Sequence, residues 1–149
     1  MLSADQRAFI ERARVARLAT IGPDGTPHLV PVCFALLGES VFVPIDEKPK
    51  RPGVVLQRLR NIAARPSACL LVDHYQEDWS GLGWVMLRGR AEILTAGAEY
   101  AAAQAAAQAR YKQLAAMRLD GMAVIALRVS RVRAWGAVGP SSHAGAASG

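Results

Sequence analysis

Residues 41–61 read VFVPIDEKPKRPGVVLQRLRN, and the rest of the chain reads as support for them. The segment opens as a strand, Val41–Asp46, because Val41, Phe42, Val43 and Ile45 are β-branched or aromatic. Pro44 has no N–H for a ladder, which predicts an edge or bulged position. A loop follows with Lys48, Lys50 and Arg51, broken by Pro49, Pro52 and Gly53. A helix is then expected from Val54 to Ala64, carrying Arg58 and Arg60. A strand that runs into a cationic loop and a helix N-terminus suits an anion, since the helix end adds free N–H groups and partial positive charge. A phosphate or polycarboxylate clamp is one reading of these residues; a solvated basic surface is the other.

Working outward, Ser3 is an N-cap candidate for a helix over Ala4–Ala13 with Phe9, Ile10 and Ala13 on one face. A strand Val15–Ile21 reaches the turn Gly22-Pro23-Asp24-Gly25, where Asp-Gly is a hairpin signal. The returning strand is long, Thr26–Leu37, and Pro27 and Pro31 predict an edge or bulge within it. Beyond the basic helix, Arg65-Pro66 is a stop. Strand Ala68–His74 is nearly continuous in apolar residues, which predicts burial on both faces. After an acidic, aromatic connector, strand Val85–Leu94 puts Arg88 and Arg90 on one face, and Gly89 suggests a bulge. Thr95 precedes an alanine-rich helix, Ala96–Met117. The last strand is Met122–Val138, where alternation sets Arg128 opposite to Arg131 and Arg133. Six strands with helices between antiparallel runs, not βαβ repeats, predict an α+β fold: a closed or half-closed antiparallel barrel with helices at its ends.

At 149 residues the chain is expected to form one domain over 1–138, with 139–149 a flexible tail of small and polar residues. No apolar run approaches the roughly 20 residues that span a bilayer, and residues 1–20 have no secretory h-region, so the expected compartment is the cytoplasm. Cys33 and Cys69 read as small strand residues, not a disulfide framework. His28, His74 and His143 lie far apart in sequence, and no metal site is expected. A net charge of +6 and a pI near 10.0 favour an anionic partner. With 6% aromatic residues and no RNP-like or helix-turn-helix pattern, nucleic acid is disfavoured as that partner.

The ordered set VARLATIGPDGTPHLVPVCF (15–34), VFVPID (41–46), RLRNIAARPSACLLVD (58–73), WVMLRGRAEIL (84–94) and RVRAWG (131–136) resembles the pyridoxamine-phosphate-oxidase-like superfamily. The similarity covers about residues 4–138 and is closer to the actinobacterial branch of deazaflavin-dependent enzymes that use coenzyme F-420. The resemblance implies a six-stranded split β-barrel and a homodimer with two cofactor sites at its interface. It implies that the ring of coenzyme F-420, or of FMN as the alternative, lies against Pro31, Val32, Val43, Pro44 and Ile45. It assigns the cofactor phosphate to Lys48, Lys50, Arg51, Arg58 and Asn61, and the substrate pocket to Trp79, Trp84 and Trp135. Arginine at 58, where many relatives carry lysine nearby, keeps the charge and can bind phosphate through two parallel hydrogen bonds.

No nucleophile or acid–base pair emerges, as expected where a cofactor carries the chemistry. The resemblance implies hydride transfer from reduced cofactor to an unsaturated small organic substrate. His28 is a proton-donor candidate, although nothing in the sequence pairs it with an orienting carboxylate. An FMN-dependent oxidase or reductase and a non-catalytic flavin or deazaflavin carrier are the competing readings.

Overall fold

The computed structural model describes residues 1–46, 51 and 53–139. Its frame is an antiparallel seven-stranded sheet ordered β2-β1-β5-β6-β7-β4-β3. The strands are β1 (Ala16–Ile21), β2 (Pro27–Val32), β3 (Ala35–Leu37), β4 (Ser40–Pro44), β5 (Ser67–His74), β6 (Gly83–Leu94) and β7 (Val124–Gly136). The helices are α1 (Ala4–Arg12), α2 (Gln57–Ala64), α3 (Ala98–Arg110) and α4 (Lys112–Ala115). The expected count of six strands becomes seven because the long strand Thr26–Leu37 breaks at Cys33 and Phe34.

That break determines the shape. β2 and β3 are the two edges of the sheet, yet only Cys33 and Phe34 separate them in sequence. Three Cα–Cα steps reach at most about 11 Å. The sheet is therefore curled until its edges meet, and the chain itself closes the seam where hydrogen bonds do not. Phe34 turns fully inward at this corner. Its N–H donates to the Tyr111 hydroxyl (3.1 Å, buried), which in turn donates to the Arg14 carbonyl (3.1 Å). Arg110 completes the corner: its guanidinium lies 4.8 Å from the Phe34 ring centroid and donates to the Glu11 carbonyl (2.7 Å) and to the Ala13 carbonyl at the end of α1.

The core fills the curl with Leu18, Phe34, Val41, Leu70, Leu87 and Leu127, and with Ile10 from α1 and Ile62 from α2. α1 starts in a capping box, with the Ser3 hydroxyl accepting from Gln6 N–H and the Gln6 side chain accepting from Ser3 N–H. α3 packs on the outside of β4 and β7, where Ala103 meets Phe42, Val124 and Ala126. Its alanines allow close approach to the sheet. The expected single helix Ala96–Met117 is interrupted at Tyr111, whose φ of −123° and ψ of 119° are extended. That break is what delivers the Tyr111 hydroxyl to the seam.

Several expectations shift for physical reasons. β2 is an edge strand, as Pro27 and Pro31 require. β4 is internal, contrary to the reading of Pro44; the proline is tolerated because β3 pairs only with residues 40–42 and leaves Pro44 unpaired on that side. α2 starts at Gln57, not Val54. β5 is buried on one face only, with Cys69 and Leu71 half-exposed on the other. Alternation also fails in β7. Arg88 pairs with Arg131 and Gly89 with Val129, so Ser130 is an extra residue, a bulge. The bulge puts Arg128 on the same outer face as Arg131 and Arg133, since Arg90 pairs with Arg128. Gly89 is required there, because a Cβ would run into the Arg128 carbonyl. Among the described residues no helix is long and apolar enough to cross a membrane.

Tyr111→Phe is expected to lower stability by about 1–3 kcal/mol, since it leaves the buried Phe34 N–H without its acceptor. Urea unfolding checks this as a fall in midpoint at constant slope. A second expectation concerns α3. Arg128 donates to Glu99 (2.6 and 2.7 Å) and to Glu92 (3.0 and 3.1 Å). Hydrogen bonding from Arg128 holds the Glu99 carboxyl below the usual glutamate value of 4.5. A depressed folded value means the contribution is present above the unfolded value and is lost as pH falls through the folded one. Glu99→Gln should therefore flatten the dependence of Tm on pH below about 4.5.

Candidate functional site

Three separated segments meet at one end of the curl. Pro31, Val32 and Cys33 leave β2, Pro44 and Asp46 leave β4, and Arg58 arrives on the first turn of α2; with Val15 they line a cleft of about 170 Å³. The β2 residues are held there by the seam, and Pro44 by its register with Val124 of β7. Ile45 N–H donates to the Ala123 carbonyl (3.0 Å), so this wall offers side chains and carbonyl oxygens more than free N–H groups. Burial pushes the Cys33 thiol up, and the nearby Asp46 carboxylate adds to the effect, so the sulfur stays protonated at neutral pH.

α2 is anchored by an amide relay that runs inward from the surface. Gln57 Nε2 donates to Asn61 Oδ1 (2.6 Å), and Asn61 Nδ2 donates to Thr20 Oγ1 (3.0 Å). Asn61 and Thr20 are both buried. The relay fixes the helix turn that carries Arg58 against β1.

The expected site residues divide accordingly. Pro31, Val32, Pro44 and Arg58 share the cleft. The side chains of Val43 and Ile45 are buried in the core and do not line the cleft. Asn61 turns into the fold toward Thr20. Arg51 is exposed. Lys48 and Lys50 lie outside the described residues, as do Pro49 and Pro52, and the expected tail 139–149 lies outside them beyond Gly139. Trp84 and Trp135 face each other across β6 and β7, while Trp79 sits in a short 3-10 turn and is 71% exposed. Cys33 and Asp46, which belong to the two strand segments expected against the ring (Pro31–Phe34 and Val41–Asp46), also line the cleft, and Val15 joins it without having been singled out.

The two remaining histidine candidates sit elsewhere. His28 is half-buried on β2, directly opposite Thr20. His74 is exposed and its ring contacts Gln76 Oε1 at 3.1 Å. Asp78 caps the 3-10 turn by accepting from Ser80 N–H (3.0 Å). Among the described residues no group of three His, Cys, Asp or Glu side chains could hold a metal ion.

The outer face of β6 and β7 forms a second feature. Going along it, Trp84 pairs with Trp135, Met86 with Arg133, and Arg88 with Arg131. The cationic end of this ladder opens into a groove of about 800 Å³ shared with β1 and β5.

Comparison with known proteins gives this fold a family. A conserved hypothetical protein of Mycobacterium tuberculosis is 23% identical with a TM-score of 0.75, over 92% of this chain and 86% of its own. A heme-binding protein of Mycobacterium smegmatis is 28% identical with a TM-score of 0.73; the match covers 91% of this chain but only 55% of that protein's length. HutZ, the heme storage protein of Vibrio cholerae, is 15% identical with a TM-score of 0.67, over 90% of this chain and 93% of its own. No curated protein matches the chain significantly. The family pattern of pyridoxamine 5'-phosphate oxidase matches residues 2–136, nearly the whole described chain, and the protein belongs to that family.

Proposed function

We propose that the protein binds a flavin-type cofactor, coenzyme F-420 with FMN as the alternative, and acts as an oxidoreductase on an unsaturated small organic substrate. The observation that carries this reading is the convergence of residues 31–33, 44, 46 and 58 on one cleft. Such cofactors combine a flat apolar ring with an anionic phosphate. The cleft supplies both halves: Pro31, Val32 and Pro44 as apolar walls, and the Arg58 guanidinium, which can bind phosphate through two hydrogen bonds. The Asp46 carboxylate repels an anion, so the phosphate is directed to the Arg58 side, where α2 begins.

The cleft is smaller than the roughly 300–1,000 Å³ of sites that enclose a small organic ligand. It fits the phosphate end and one ring edge, and a second copy of the chain would cover the rest, which is the role of the homodimer in this proposal. When bound, the cofactor supplies hydride-transfer chemistry. The chain's own contributions are binding by Arg58, orientation of Arg58 through the Gln57–Asn61–Thr20 relay, and exclusion of water by the proline walls.

Heme binding is a second reading, favoured by the 28% identity to a heme-binding protein of Mycobacterium smegmatis. A titration separates the two. Purified protein is mixed with coenzyme F-420, FMN and hemin separately, followed by fluorescence or absorbance. The proposal expects tight binding of F-420 or FMN and weaker binding of hemin. Hemin as the tightest ligand would move the assignment to heme binding.

Arg58→Ala should weaken the favoured cofactor about 10–100-fold, the loss expected for one charge-assisted contact of about 1.5–3 kcal/mol. Unchanged affinity would remove the phosphate from this cleft. Asn61→Ala is expected to cost about 1–3 kcal/mol of stability by leaving the buried Thr20 hydroxyl without its partner. It should also weaken the cofactor at temperatures where the variant is fully folded, as read by the same titration.

A further inference from the structure

The groove on the outer face of β1, β5, β6 and β7 shares no lining residue with the Arg58 cleft. At about 800 Å³ it falls in the size range of small-ligand sites. Arg88 and Arg131 stand directly opposite each other at its edge, and Arg90 follows two residues on along the same face. Opposite positions place Cβ atoms about 5 Å apart, and like charges there destabilise a sheet.

This juxtaposition is built, not incidental. If Ser130 alternated as an ordinary strand residue after the inward-facing Val129, it would face outward and Arg131 would face the core. The bulge turns it outward beside Arg88, and Gly89 is the residue that lets the strands close on the bulge. Two pairs further along, opposite Arg90, Arg128 is neutralised by Glu92 and Glu99. Arg88, Arg90 and Arg131 have no ion pair among the described residues, and no carboxylate lines the groove. Ser67 and Ser130 line the groove beside them, and the Ser130 hydroxyl donates to the Arg88 carbonyl (3.4 Å).

We infer that this groove is a second anion-binding site, which takes a small, multiply charged organic anion bearing phosphate or carboxylate groups. An anion that bridges Arg88 and Arg131 relieves their repulsion and accepts charge-assisted hydrogen bonds from both. The proposal does not depend on the cofactor reading and is tested without any cofactor.

The test is calorimetric titration of the full chain with pyrophosphate and, separately, with citrate at low salt, using wild type, R88A, R131A and R58A. At least one anion should bind wild type and R58A alike and bind R88A and R131A at least tenfold more weakly. Without anion, R88A and R131A should melt at or above the wild-type temperature, because removing one charge relieves the repulsion. Preference for pyrophosphate or for citrate names the phosphate or the carboxylate class. Absence of wild-type binding, equal binding by R88A and R131A, loss of binding in R58A alone, or lowered melting temperatures in both groove variants would overturn the proposal.

Discussion

The fold depends on one short crossing. Cys33 and Phe34 carry the chain from one edge of the sheet to the other, so the curl is closed by covalent backbone. A crossing buries peptide groups that no ladder can satisfy, and each such group left unpaired is costly. Tyr111 answers this for Phe34 with a hydroxyl that accepts from one segment and donates to another. The same side chain explains the helix break between α3 and α4. Arg110 then ties this corner to the C-terminal carbonyls of α1, where a cation also complements the helix dipole. Three elements distant in sequence are thereby fixed around the point where β2 delivers residues 31–33 to the cleft.

The outer face is divided by the same logic. α3 covers β4 and β7 through small side chains, and Arg128 beneath it is matched by two glutamates. The other half of the face is left open, with tryptophans at one end of β6 and β7 and arginines at the other. The half-exposed Cys69 and Leu71 on β5 belong to this open half. Burial raises the Cys69 thiol, while Arg88 beside it pulls the other way.

Much of the fold was legible in local chemistry. The Ser3 cap, the Asp24-Gly25 turn and the edge position of β2 follow from residues whose backbone preferences are strong. The errors share a cause: they depend on contacts distant in sequence. Pro44 signals a missing donor, but only the shortness of β3 shows how an internal strand accommodates it. The apolar run of β5 could not reveal that one of its faces opens into a groove. Strict alternation in β7 could not anticipate a bulge, although Gly89 on the partner strand carried the signal. For the site, the run of cations singled out Arg58, while the two strand ends and Asn61 came from the family resemblance. The relay from Asn61 to Thr20 joins positions 41 residues apart, which no local pattern shows.

The function of this fold turns on where a cofactor sits. The most direct measurement is a crystal structure of the protein grown with whichever of coenzyme F-420, FMN or hemin binds most tightly. The account predicts a deazaflavin or flavin with its phosphate on Arg58 and its ring edge against Pro31, Val32 and Pro44. A ligand bound away from Arg58 and these prolines, or a heme held in their place, would contradict it.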